Sequence, residues 1–139
     1  MPAGVDRLAG HREALAAAGF APGRAEDGDF TAVGGAAAMR RILDQGPAPD
    51  AIFVASDLMA RGAISVLSDR GIRVPQDIAI IGFDDSPAAS SGAPGLTTIR
   101  QPSLQQGELM AHTLLELLAG RVPRRVIILE TELIVRDSA

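Results

Sequence analysis

Apolar residues recur at helical spacing from Val5 to Ala18, with Val5, Leu8, Ala9, Leu15 and Ala16 on one stripe and Gly19 placed as a left-handed stop. This spacing predicts a first helix. A polar stretch over residues 21–29 breaks the pattern and leaves room for a short strand at Arg24–Asp27. Thr31 then stands as the cap of a second helix carrying Val33, Ala36, Met39, Ile42 and Leu43, ended by Gly46 and Pro47. The unbroken apolar run Ala51–Ala55 suits a parallel strand buried on both faces, and Ser56 can cap the helix behind it, Leu58–Arg70, which Gly71 closes. A second run, Ile78–Phe83, repeats the pattern before the chain turns at Ser86-Pro87.

Residues 88–95 are small or are glycine and proline, and they read as a loop before a short strand, Leu96–Arg100, stopped by Pro102. Ser103-Leu104-Gln105-Gln106 has the form of a capping box and opens a helix to Ala119 whose apolar face carries Leu104, Ala111, Leu114, Leu115 and Leu118. Gly120 and Pro123 end it. The last strand, Val126–Val135, begins apolar and then shows Glu130 and Glu132 on one face, as an edge strand does. Helices alternating with short apolar strands predict an α/β fold, an open and mostly parallel sheet with helices on both faces.

At 139 residues the chain fits one domain, and its 47% hydrophobic and 22% charged content predicts a folded core. Cysteine is absent, which removes disulfides, thiolate metal sites and cysteine nucleophiles together. All 13 basic residues are arginine against 17 acidic ones, a net charge of −4, where a nucleic-acid-binding domain is expected to present a basic surface. The one basic cluster, Arg121, Arg124 and Arg125, follows a helix C-terminus that its charge complements; contact with phosphate is the alternative. With no apolar run of membrane-spanning length and no signal-peptide layout at the N-terminus, a soluble, cytoplasmic chain is expected.

In an open parallel sheet, ligands bind beyond the carboxyl ends of the strands. Two strands end in polar residues here, one in Ser56-Asp57 and one in Asp84-Asp85, so a hydroxyl and three carboxylates share one rim. Spacing alone leaves a plainer alternative open, in which Ser56 caps its helix and the aspartates complement a dipole and shape a turn. Clustered aspartates can hold Mg²⁺ for phosphoryl transfer, but such sites also place a lysine on the phosphoryl group, and the chain has no lysine. No Gly-x-Ser-x-Gly elbow and no phosphate-cradling glycine loop occurs, Gly34-Gly35 falls within a helical pattern, and His11 and His112 read as helix-surface residues. Glu26-Asp27-Gly28-Asp29 lacks the spaced ligands of a calcium loop and reads as a solvated turn. Neither a catalytic constellation, a metal site nor a cofactor site emerges. What remains is recognition of a polar neutral ligand, in which a carboxylate accepts from adjacent hydroxyls, an arginine donates to ligand oxygens and an aromatic ring covers an apolar face.

Ala55-Ser56-Asp57-Leu58-Met59-Ala60, Gly71-Ile72-Arg73-Val74-Pro75-Gln76-Asp77-Ile78, Ile81-Gly82-Phe83-Asp84-Asp85 and Leu96-Thr97-Thr98-Ile99-Arg100-Gln101-Pro102 follow one another in an order that closely resembles the LacI/GalR family of bacterial transcription regulators. Arg7-Leu8-Ala9-Gly10-His11-Arg12 also fits, with His11 where the family commonly has an aromatic. The resemblance implies the C-terminal part of an effector-binding core of the type I periplasmic-binding-protein kind. Residues 1–102 would form its second subdomain without the first strand and helix. Residues 103–120 would be a helix that packs on the first subdomain, and residues 121–139 the returning strand.

By the same resemblance Arg7, Phe30, Ser56, Asp57, Asp84 and Gln101 line or border the ligand cleft. Arg7 would donate to ligand oxygens, Asp84 accept from paired hydroxyls, Ser56 add a neutral hydrogen bond and Phe30 stack, while Gln101 lies where the chain crosses between subdomains. For Phe30 the residue pattern alone allows a core position beside Thr31. The implied partners are a small effector, a sugar, and a second copy in a homodimer, with DNA contacted only through a helix-turn-helix headpiece outside these residues. Arg61 replaces a bulky apolar residue at the position associated with the dimer. A transport binding protein of the same fold and an α/β enzyme are the alternative functions.

Overall fold

The computed structural model describes residues 2–122 and 126–139. Its elements in chain order are α1 (Pro2–Ala17), α2 (Ala32–Asp44), β1 (Ala51–Phe53), α3 (Asp57–Asp69), β2 (Ala79–Asp84), α4 (Pro87–Ser90), β3 (Thr97–Arg100), α5 (Ser103–Leu118) and β4 (Glu132–Ile134). The strands lie side by side in the order β1-β2-β3-β4. The first three are parallel, with Phe53 opposite Ile81 and Asp84 opposite Arg100, and β4 runs antiparallel along β3. The expected open, mostly parallel α/β sheet is therefore present.

The core lies between the sheet and the α2–α3 pair. Ile80 points to α3 from β2, and Leu67, Val66, Ala63 and Ala60 answer from the helix, all with under 4% of their surface exposed. Each large side chain buried this way stabilises the fold by about 1.5–3 kcal/mol. Caps fix where the two helices begin. Thr31 accepts the Gly34 amide at 3.0 Å, and Ser56 accepts the Met59 amide at 3.3 Å, each satisfying a donor that a helix start leaves open. The two helices cross so closely that a Cβ at Gly62 would fall 1.9 Å from the Ala32 carbonyl oxygen, and one at Gly35 2.2 Å from that of Met59. The Gly34-Gly35 pair is thus helical, as its pattern predicts, and its second glycine makes the crossing.

The opposite face of the sheet, carrying Phe53, Ile81 and Phe83, is covered in part by α1, which contributes no fully buried residue. His11 is not a plain surface residue of that helix: its ring stacks on Phe53 with centroids 5.6 Å apart.

Four further sequence expectations are corrected. Arg24–Asp27 forms no strand, because it has no ladder partner among the described residues; side chains tether it instead, Arg24 to the carbonyls of Ile42 and Pro47 and Arg41 to Glu26 and Asp27. The loop over 88–95 includes the single turn of α4, which Pro87 starts. The capping box does not form: Pro102 is the cap residue and Ser103 is already helical, so its hydroxyl is not placed to accept from the first turn. The last strand shrinks from ten residues to three: among the described residues, 126–131 pair with no strand and only Glu132–Ile134 meets β3. Pro123, Arg124 and Arg125 lie outside the described residues.

Candidate functional site

β2 delivers Asp84 to the carboxyl end of the sheet, where Asp84 and Asp85 take the left-handed backbone, φ 111° and 51°, in succession. Non-glycine residues rarely accept this conformation, and where it occurs it often marks a functional position. Asp84 Oδ1 accepts from Arg7 Nη2 at 3.2 Å and from Gln101 Nε2 at 2.7 Å. Among the described residues nothing donates to its other oxygen. Burial pushes the Asp84 carboxyl above its ordinary pKa, against the opposing pull of Arg7 and Gln101.

Arg7 reaches this point from α1. Its Nη1 donates to the Ala55 carbonyl at 2.5 Å, its guanidinium lies 3.8 Å from the Phe83 ring centroid, and Phe30 sits 5.9 Å away. A guanidinium held by a carbonyl, a carboxylate and an aromatic face is fixed in position. Phe30 itself is left-handed, φ 65°, and half-buried, with its ring 3.5 Å from where a Gly4 Cβ would stand. The structure thus brings Arg7, Asp84 and Gln101 into direct contact, with Phe30 at the edge.

Ser56 and Asp57 lie beneath this group. Ser56 is 3% exposed and spends its oxygen on the α3 cap. Asp57 is wholly buried; its Oδ1 accepts the Thr98 hydroxyl at 2.6 Å and its Oδ2 the Ser86 amide at 2.7 Å. Asp85 faces away from Asp84 and joins β3 to the chain end: Arg100 Nε donates to it at 2.7 Å and Arg136 Nη2 at 2.6 Å. Burial alone would raise the Asp85 carboxyl, but these two arginines hold it below its ordinary pKa. The turn opens on a depression of about 650 Å³ bordered by Asp84, Ser86, Gln101 and Glu108. A separate groove of about 530 Å³, lined by Leu109, Met110, Leu114 and Ile127, lies between α5 and the segment before β4.

Phe83 is the participant that the motif reading passed over. The alternation along β2 was signal enough, since it puts Phe83 on the face of Ile81 and immediately before Asp84. Among the described residues no three histidine, aspartate or glutamate side chains are placed to hold a metal, and no helix is long and apolar enough to cross a membrane.

A mostly parallel sheet with a polar cluster at its strand ends is the architecture of the periplasmic binding protein-like domains, and the family model of that description matches residues 2–139. The sequence is 46% identical over 141 aligned residues to the HTH-type transcriptional regulator CelR of Thermobifida fusca, covering 99% of this chain and 42% of that protein. Among solved structures, a CelR–cellobiose complex superposes with a TM-score of 0.93 at 45% identity, over 98% of this chain and 42% of that one. The lac repressor dimer bound to operator and the anti-inducer ONPF superposes with a TM-score of 0.89 at 33% identity, over 95% of this chain and 40% of the repressor. The chain belongs to the LacI/GalR family of transcriptional regulators, as part of the effector-binding domain. It spans less than half the length of these relatives.

Proposed function

We propose that these residues form one wall of the cleft in which a LacI-type regulator senses a sugar, and that they do no catalysis. The observation that carries this reading is the state of Asp84. Arg7 and Gln101 orient the carboxylate through one oxygen, and the other is left for a ligand hydroxyl. Phe30 and Phe83 flank the cationic side of the same group and suit the apolar face of a pyranose ring. Cellobiose in the CelR complex makes an oligosaccharide the first class to try.

In this reading residues 1–102 are the C-terminal subdomain, and α5 packs on the other subdomain, which is why its face carries exposed Leu104, Leu114, Leu115 and Leu118. DNA contact and dimer formation then belong to the longer protein, and ligand acts by favouring one arrangement of the two subdomains. A wall without its opposite holds a sugar weakly. Cellobiose added to the ¹⁵N-labelled chain should therefore shift the resonances of Arg7, Asp84 and Gln101 with a Kd on the order of millimolar. Shifts that avoid these residues, or none with cellobiose, glucose and ribose alike, would overturn the reading. The chain alone should not retard duplex DNA.

A further inference from the structure

Asp57 is wholly buried and makes no ion pair among the described residues, an arrangement that a carboxylate tolerates only with strong compensation. Its place in the first turn of α3 supplies part of that, since the helix N-terminus favours negative charge. The rest comes from the two hydrogen bonds, and their partners are telling. Ser86 follows directly on the two left-handed residues, and Thr98 belongs to the neighbouring strand β3. Gly82 clears the space between them: a Cβ there would lie 2.5 Å from Asp57 Oδ1. One carboxylate therefore joins α3, the turn after β2 and β3 at a single point under Asp84.

We propose that Asp57 is a positioning residue for the ligand site. By holding the Ser86 amide and the Thr98 hydroxyl together, it keeps the Asp84–Asp85 turn left-handed and Asp84 in the pose that leaves one oxygen for a ligand hydroxyl. Asp57 itself does not touch the ligand. This assignment rests on the sugar-sensing reading above, and it differs from the direct contact that the family resemblance implies for the residue.

The test compares the chain with its Asp57→Ala, Asp57→Asn and Met39→Ala variants. Asparagine can still accept the Ser86 amide through its oxygen, and its amide group can donate to Thr98; alanine loses both bonds. Met39 is a core residue of α2, so its truncation destabilises the fold away from the turn. Asp57→Ala should speed Ser86 amide exchange about 30-fold or more relative to the α3 amides, and weaken cellobiose binding about tenfold. Asp57→Asn should restore Ser86 protection and bring binding back to within about threefold of the parent. Met39→Ala should change neither readout.

Unchanged Ser86 exchange in Asp57→Ala overturns the proposal, as does an equal loss of binding in Met39→Ala. Loss of binding in Asp57→Asn with Ser86 still protected would mean that the charge acts on the ligand, which also overturns it. A parent chain that ignores cellobiose counts against the sensing reading instead, and Ser86 exchange then decides the pin by itself. Should Asp57→Ala not fold, Thr98→Val removes one of the two bonds, and it should raise Ser86 exchange by a smaller factor in the same direction.

Discussion

Burial holds Asp84 above its ordinary pKa, so the folded state binds this proton more tightly than the unfolded chain does. Its contribution to stability therefore falls as pH rises through the interval between the unfolded value and the raised folded one. At neutral pH the ionised group opposes folding. Asp84→Asn keeps the shape and an acceptor oxygen, and thermal unfolding at pH 7 should show no loss of stability beyond about 1 kcal/mol. Any advantage of the variant should shrink as the buffer is acidified through that interval. The same substitution should abolish the cellobiose-induced shifts, separating the residue's role in binding from its cost in folding.

Asp85 and Asp77 behave in the opposite sense. Hydrogen bonds from Arg73 bring Asp77 down to about 2, and Arg136 and Arg100 hold Asp85 low despite its burial. The stability they confer is present above the unfolded carboxylate pKa and is lost as pH falls through the folded values. Thermal midpoints measured from pH 5 to pH 2 should drop most below pH 4, and a flat profile there would count against these pairs.

At the scale of elements, the two helices over the core meet through glycine. Gly62→Ala drives a methyl group into the Ala32 carbonyl, a backbone atom that cannot give way, and chemical denaturation should show a loss of about 3 kcal/mol. Arg61 plays a different part from the apolar residue that the family resemblance leads one to expect. Its guanidinium donates to the carbonyls of Ala88 at 2.6 Å, Ala89 at 2.7 Å and Pro94 at 2.8 Å, stitching α4 and the following loop to α3. Arg61→Ala should cost about 2 kcal/mol and make residues 88–95 the first site of proteolytic cleavage.

The sequence was most legible where an element depends on its own residues. Gly19, φ 79°, ends α1, and Thr31 and Ser56 cap their helices as their positions foretold. It was least legible where an element depends on a neighbour. Residues 126–131 have strand-like composition but lack a pairing partner among the described residues, and no local pattern reports that lack; Arg24–Asp27 is polar and lacks even the composition of a strand. The site divides along the same line. Motif order picked out Arg7, Asp84 and Gln101, which meet in space, while the buried destination of Asp57 depends on a turn and a strand 29 and 41 residues further on.

Viewed as a whole, the molecule has one dense layer and one sparse side. Neither α1 nor α5 buries a residue fully, and Leu104, Leu115 and Leu118 are 80%, 61% and 75% exposed. Replacing these three with glutamine should leave the thermal midpoint of the chain nearly unchanged, within about 0.5 kcal/mol, while lowering its binding of apolar dyes. A large loss of stability would show that α5 is packed in solution.

The end of the chain behaves otherwise. Ser138 is wholly buried, donates to the Ile80 carbonyl at 2.7 Å and accepts the Thr97 amide at 2.9 Å; its own carbonyl accepts the Ile80 amide at 2.7 Å. It bridges β2 and β3 across separations of 58 and 41 residues. The two strands pair directly from Ile81 and Thr97 onward, and Ser138 satisfies the backbone groups of Ile80 and Thr97 where that ladder begins. A single serine thus fastens the start of the β2–β3 seam from a place far along the chain, so the register of two strands is guarded by a residue that belongs to neither.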